Sequence, residues 1–353
     1  MVPIPQSAGY GVAVLRRTAL IAACAAAALA GCGSKPGPAA TKPAAPAPQL
    51  DPPQAAEPVP GPVLERPLSG LVVQVGKRPE GIAIDPRSHV AAVAVDDPPR
   101  LVLLNTRSGR KLREVRLPSA ARHVALAAPG GPFLVPAEDA DTLVEVSVDG
   151  GDVRTTKVGE NPHDATALGP RKYVVDEFSS TMSVVRDGRL VGTVPVDAQP
   201  GGVGQVDGKL YVNAVRAYTV EAYAPGDEPR GEGAQSSGLG PSHVIAGPDG
   251  RIAIGDTRGH ALVVYDTRPR VRFRARVALA GTPVGLAWDG KATVWVTLSE
   301  RNSVVPVDLS GAKPRVGKAI PTPQTPLSAA VDTSTGRLAV AGAGDGSVRL
   351  IDP

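Results

Sequence analysis

Pro79-Glu80-Gly81-Ile82-Ala83 opens a unit that recurs along the chain. The further copies are Pro162-His163-Asp164-Ala165, Pro200-Gly201-Gly202-Val203, Pro241-Ser242-His243-Val244, Pro283-Val284-Gly285-Leu286-Ala287 and Pro326-Leu327-Ser328-Ala329. A seventh, Ala121-Arg122-His123-Val124-Ala125, lacks the proline and keeps the register. Successive starts lie 42, 41, 38, 41, 42 and 43 residues apart. Each copy sets a small or polar pair before an apolar run, so each marks the start of a strand.

The rest of each unit has a constant order. A turn such as Asp85-Pro86 or Pro248-Asp249-Gly250 leads to a second apolar run, HVAAVAV from His89 or RIAIGD from Arg251. A third run ends in Asp or Asn, as LVLLN does at Asn105 and ALVVYD at Asp266. A fourth, such as KLREVRL from Lys111, reaches the next copy. No stretch holds a helical period over a dozen residues. Four short strands in about 40–45 residues are one propeller blade. The predicted fold is therefore all-β, a seven-bladed β-propeller of four-stranded blades over residues 68–353. Residues 226–238 are polar and Gly-rich, which predicts a short or missing outer strand in the fourth blade. The seventh unit supplies only three strands, so the last blade is predicted to be closed by an N-terminal strand, Leu71-Val72-Val73-Gln74-Val75. Closure of that kind removes an open sheet edge.

Leu210-Tyr211-Val212-Asn213 and Ser347-Val348-Arg349-Leu350-Ile351-Asp352 are similar to the units of YVTN-type propellers. Those read roughly P-x-G, strand, turn, Y-V-A-N, polar turn, V-S-V-I-D. The resemblance covers nearly everything after residue 70. It implies the fold and no activity.

The N-terminus has a different character. Arg16 and Arg17 precede an apolar, Ala-rich stretch at 18–30, and Leu29-Ala30-Gly31-Cys32 follows. A basic region, a short apolar core and small residues form a secretory signal, here residues 1–31. The apolar core is shorter than the roughly 20 residues of a membrane span. The Leu-Ala-Gly-Cys run resembles the bacterial lipobox. That resemblance implies diacylglycerol on the Cys32 thiol, cleavage before it, and often a third acyl chain, palmitate among the candidates. Two or three chains hold a protein on a bilayer, at about 0.8 kcal/mol per buried methylene. The arginine pair leaves the Sec and twin-arginine export routes both open. The only cysteines are Cys24 and Cys32, so no disulfide is expected in the folded body. Residues 32–67 read as the lipidated cysteine and a disordered Pro/Ala-rich tether, since such composition cannot bury a core.

Formal net charge is +4 and falls to +2 without residues 1–31; aromatics are 3%. Nucleic-acid binding wants a basic patch and stacking faces, so no nucleic-acid partner is expected.

Up-and-down strands put the loops before the first strand and after the second on one face, around the channel mouth. The first set brings Glu80, Arg122, His123, His163, Asp164, Ser242 and His243. The second brings Asp96, Asp97, Glu138, Asp139, Asp141, Asp176, Glu177, Asp256 and Glu300. The candidate ligand-binding residues are Glu80, His123, His163, Asp164 and His243. Histidine and carboxylate together suit a divalent cation, yet solvated turns are rich in the same residues. No cofactor is predicted beyond that cation.

Enzyme motifs are scarce. Gly-x-Ser-x-Gly, His-Glu-x-x-His and Walker-type sequences do not occur. Trp288 and Trp295 do not reproduce the docking motifs of quinoprotein propellers and read as blade packing. Gly247-Pro248-Asp249-Gly250 resembles one turn of streptogramin-lyase-like propellers, without their aromatic-rich strand. A lactonase-like metal site would want Glu, Asn and Asp together, and only Glu80 offers a first member. Two classes stay open. One is a membrane-anchored, extracytoplasmic scaffold that binds a protein, peptide or envelope component, as a monomer. The other is a metal-assisted hydrolase or lyase at the mouth, with histidine as base. The expected location is the outer face of the cell membrane, or the periplasm in a cell with two membranes.

Overall fold

Along the strand Val90–Asp97, Ala92 and Ala94 turn to one neighbouring blade, while Ala91, Val93 and Val95 turn to the other. Successive side chains of a strand point to opposite faces. A nearly unbroken apolar run is therefore what a strand buried on both faces requires. The computed structural model describes residues 54–353, so the signal segment, Cys32 and most of the tether lie outside the described residues. Among the described residues the strands form seven antiparallel sheets and no α-helix is present. The chain is a seven-bladed β-propeller.

The innermost strands of blades 1 to 7 are Lys77–Asp85, Ala125–Ala128, Pro162–Leu168, Pro200–Val206, Pro241–Gly247, Pro283–Trp288 and Pro326–Asp332. Blades 1 to 6 then run outward in sequence order. In blade 7, Leu71–Gln74 pairs antiparallel with Ser347–Ile351, Leu71 opposite Leu350 and Val73 opposite Val348.

The core is divided. Seven apolar clusters sit one at each seam between adjacent blades. Phe133 fills the seam of blades 1 and 2, and Tyr173 that of blades 3 and 4. Trp295 fills the seam of blades 6 and 7, and Trp288 packs on that of blades 5 and 6. A single blade has two apolar faces and hides neither alone, so stability comes from stacking neighbours. Inner strands also approach each other closely. A Cβ on Gly285 would lie 2.6 Å from Ser328 Cα, and one on Gly81 2.8 Å from the His123 carbonyl carbon.

The outer strands depart from the sequence expectation. Blade 4 has a full outer strand, Arg230–Ser236, with every residue exposed. An edge strand needs only backbone pairing, so a polar, Gly-rich sequence suffices there. The interrupted outer strand belongs to blade 6, as Arg315–Val316 and Ile320–Pro321. Pro306 in the adjacent strand has no N–H to give, and its carbonyl accepts from Gly317 N–H at 2.8 Å. The ladder opens between those two segments.

Candidate functional site

The repeated proline sets the mouth. In six blades the pairing register shifts just after it, at Pro79, Pro162, Pro200, Pro241, Pro283 and Pro326. Each shift is a β-bulge, which leaves a residue out of the ladder and re-aims its side chain. Glu80, His163, Gly201, Ser242, His243, Val284 and Leu327 occupy these bulges, and all of them line one cavity of ≈ 420 Å³. Arg122 and His123 join them from blade 2. The lining is polar on blades 1, 2, 3 and 5, and small or apolar on blades 4, 6 and 7.

The polar side is an arc of alternating charge. Arg78 pairs with Asp96 at 3.4 Å and with Glu80 at 3.0 Å. Arg122 stands 3.9 Å from Glu80 and 3.6 Å from Glu138. His163 Nδ1 lies 3.3 Å from Glu138 and 3.0 Å from Glu177. Gln199 Nε2 donates to Glu177 at 2.6 Å and ends the arc in the loop before blade 4. Burial alone lowers the pKa of His163, but its contacts with Glu138 and Glu177 outweigh that and lift it to about 9. The ring is therefore an imidazolium at neutral pH. Burial pushes the Glu177 carboxyl up, yet His163, Gln199 and Arg122 hold it below the usual range.

Three histidine rings cross the channel beneath this arc. His123 lies 4.8 Å from His163 and 4.3 Å from His243, centroid to centroid. Burial and the neighbouring charge of His163 hold His243 down at about 3, and burial keeps His123 well below the usual imidazole range. One charged ring thus supports two neutral ones. Arg122, His123 and His243 also line a second cavity of ≈ 480 Å³ inside the channel, so these side chains are the floor between the two. His243 Nδ1 is buried there without a hydrogen-bond partner.

Four of the five candidate residues, Glu80, His123, His163 and His243, meet at the mouth. Asp164 sits in the channel cavity instead. Its carboxylate accepts from the Val203 N–H at 2.9 Å and the Ala165 N–H at 2.8 Å, tying blade 3 to blade 4. Burial raises its pKa to about 6 against those two donors. Among the described residues, no group of three or more His, Cys, Asp or Glu is arranged to hold a metal ion. His163 Nδ1 faces the carboxylates of Glu138 and Glu177, and the His123 and His243 rings lie tilted against each other. Arg78, Arg122, Glu138, Glu177 and Gln199 complete the arc; no local motif marks them, because they come from different loops. His89 and His260 lie elsewhere, His89 bonded to Asp332 at 2.7 Å between blades 1 and 7, and His260 to the Gly281 carbonyl.

Comparison with known proteins places the fold. No family model and no curated protein matches the chain. Solved structures do. A chain of hydrazine synthase from Kuenenia stuttgartiensis is 14% identical with a TM-score of 0.68, covering 83% of this chain and 99% of its own. A chain of a mitotic checkpoint complex is 15% identical with a TM-score of 0.68, covering 86% of this chain and 96% of its own. The likeness is one of fold. At such identities the charge arc and the histidine floor are features of this chain's own residues, to be judged on their chemistry.

The mouth has a further lining. Ala55, Ala56, Glu57, Pro58 and Pro60 border the same cavity. Residues 54–67 carry no strand or helix, yet 54–62 contact the face of the propeller, so this part of the tether is bound to the blades.

Proposed function

We propose that this chain is a lipid-anchored, extracytoplasmic binding scaffold whose mouth recognises a protein or peptide. The observation that carries the reading is the two-sided mouth: a fixed arc of paired charges faces a small and apolar wall across one cavity of ≈ 420 Å³. Pockets with apolar walls and a few placed polar groups are the usual binding sites of proteins. The fold itself is commonly a protein-interaction platform, and one of the similar chains belongs to a protein complex. The rival reading, a metal-assisted hydrolase or lyase, needs free histidine nitrogens converging on one point. The contacts with Glu138 and Glu177 engage His163 Nδ1, and among the described residues no three His, Cys, Asp or Glu converge to hold a metal ion.

Retention of envelope proteins on the immobilised protein tests the mouth. The wild type is expected to hold its partner at least tenfold better than Arg122→Glu, with both proteins equally folded by thermal melting. Equal retention by the two overturns the reading.

The anchor is a separate part of the proposal. With Cys32 in lipid, the segment up to residue 53 spans at most roughly 70 Å when extended, which sets how far the propeller reaches from the bilayer. Cys32→Ser is expected to move the protein from the membrane pellet to the soluble fraction and to abolish labelling by radioactive palmitate. A Cys32→Ser protein that still pellets with membranes refutes lipidation at that residue.

A further inference from the structure

Residues 54–62, Gln54-Ala55-Ala56-Glu57-Pro58-Val59-Pro60-Gly61-Pro62, cross the mouth from the side of blades 4 and 5 to that of blades 6 and 7. The face holds them by their main chain. At one end the Gln54 carbonyl accepts from Tyr218 Oη at 2.9 Å and from Arg258 Nη2 at 3.0 Å. The Ala55 carbonyl accepts from the same Arg258 nitrogen at 3.2 Å. At the other end the Gly61 N–H donates to Thr325 Oγ1 at 3.0 Å. The Gly61 carbonyl accepts from Gln324 Nε2 at 3.1 Å, and the Pro62 carbonyl from Asn302 Nδ2 at 2.7 Å. Five side chains from the four blades thus read peptide carbonyls and one N–H.

The seat is shaped as well as polar. A Cβ on Gly61 would lie 1.9 Å from Asn302 Oδ1 and 2.6 Å from the Ser299 carbonyl, so only glycine fits. Asn302 is itself fixed, since its Oδ1 accepts from the Thr325 N–H at 2.8 Å. Between the two ends Glu57, Pro58 and Pro60 border the cavity, in company with Arg78 and Arg122 on one side and Val284 and Leu327 on the other. Proline has no N–H to satisfy, and its fixed φ lowers the entropy lost when an extended segment is bound.

We infer that the mouth is a site for an extended, proline-containing peptide segment that carries a carboxylate, and that residues 54–62 are its resident occupant. The inference rests on the binding-scaffold reading above and narrows it to a ligand chemistry. A partner segment of the same kind must displace the resident one. An intramolecular segment competes at an effective concentration on the order of mM, so the site is masked until a strong ligand arrives or the segment is drawn away.

The probe is a fluorescein-labelled synthetic peptide with the sequence of residues 54–62, read by anisotropy against the full-length protein. Gly61→Leu in the protein collides with Asn302 and Ser299 and lifts the resident segment, while every blade residue stays unchanged. The peptide is expected to bind this variant at least tenfold more tightly than the wild type. Adding Gln324→Ala to the variant, or replacing the peptide's glutamate by lysine, is expected to remove most of that affinity. Glu57→Lys, which sets like charge beside Arg122 and keeps Gly61, gives the same comparison should Gly61→Leu fold poorly. No binding to either released variant overturns the inference, and so does equal affinity for released and wild-type protein. Failure of the peptide with continued loss of envelope partners by Arg122→Glu rejects the ligand class alone. Failure of both rejects the binding reading itself.

Discussion

His163→Ala is expected to cost about 3 kcal/mol of stability, the scale of breaking a buried ion pair by removing one partner. The side chains of His163, Glu138 and Glu177 are only 10%, 12% and 11% exposed. Without the imidazolium, two carboxylates face each other with Arg122 as the nearest cation on one of them. The loss should be visible as a lower urea midpoint with an unchanged slope. Adding Glu138→Gln and Glu177→Gln to His163→Ala is expected to recover a good part of it, because the uncompensated charge is then gone. A triple variant as unstable as the single one shows that His163 acts by packing alone.

The same residue fixes a pH window. The folded pKa of His163, about 9, lies above the ordinary 6.5. Its contribution is therefore complete below about pH 6.5 and is lost as pH rises through 9. The gap between wild type and His163→Ala should close over that interval. His243 has the opposite sign. Its folded pKa of about 3 lies below 6.5, so its contribution holds above 6.5 and drains away as pH falls towards 3. Nuclear magnetic resonance titration of the ring protons separates the two: one imidazole titrating near 9, another still neutral at pH 5. Two histidines titrating together near 6.5 would mean that the arc and the floor are not coupled in solution.

Legibility in the sequence followed the physics of each feature. The blade period was readable because six of the seven units begin with the same device, a donor-less proline before a bulge. Apolar runs such as HVAAVAV announce strands buried on both faces. The outer strands were not readable in this way. They are exposed and held by backbone pairing, so composition misjudged the outer strand of blade 4, and the break in blade 6 depends on Pro306 in a neighbouring strand. At the mouth, strand order gathered the histidines and carboxylates without assigning pairs. Arg122 between Glu80 and Glu138, or His163 between Glu138 and Glu177, exists only once the ring brings the loops of blades 1 to 3 together. His163 and Asp164 are adjacent in sequence and serve different cavities, as strand alternation at a bulge dictates. Residues 54–62 were hidden for another reason. Their Pro/Ala composition rules out a core of their own, and that holds. What binds them is main chain read by side chains up to 264 residues away, which no local composition encodes.

Removal of residues 71–75 is expected to abolish cooperative folding. Leu71 and Val73 pack on the cluster between blades 7 and 1, and Val75, 1% exposed, belongs to it, with Val102, Leu104, Val348 and Leu350 as neighbours. At roughly 1.5–3 kcal/mol per fully buried aliphatic side chain, buried Val75 and half-buried Leu71 and Val73 together contribute about 4 kcal/mol, a large share of the stability of a small domain. The deletion also uncovers the strand Ser347–Ile351, whose outward N–H and C=O groups lose the partners that Leu71–Gln74 supplies. An uncovered edge pairs with other chains, so the truncated protein should associate as well as melt early. The decisive measurement is rescue. A synthetic peptide of residues 68–78 added in trans should restore the missing strand by edge addition and return a single, cooperative thermal transition to a monomer. A scrambled peptide of equal composition should not. Rescue by both, or a truncated protein that stays monomeric and melts as the full chain does, would mean that the ring holds without this strand and that six complete blades already suffice to keep the seventh in place.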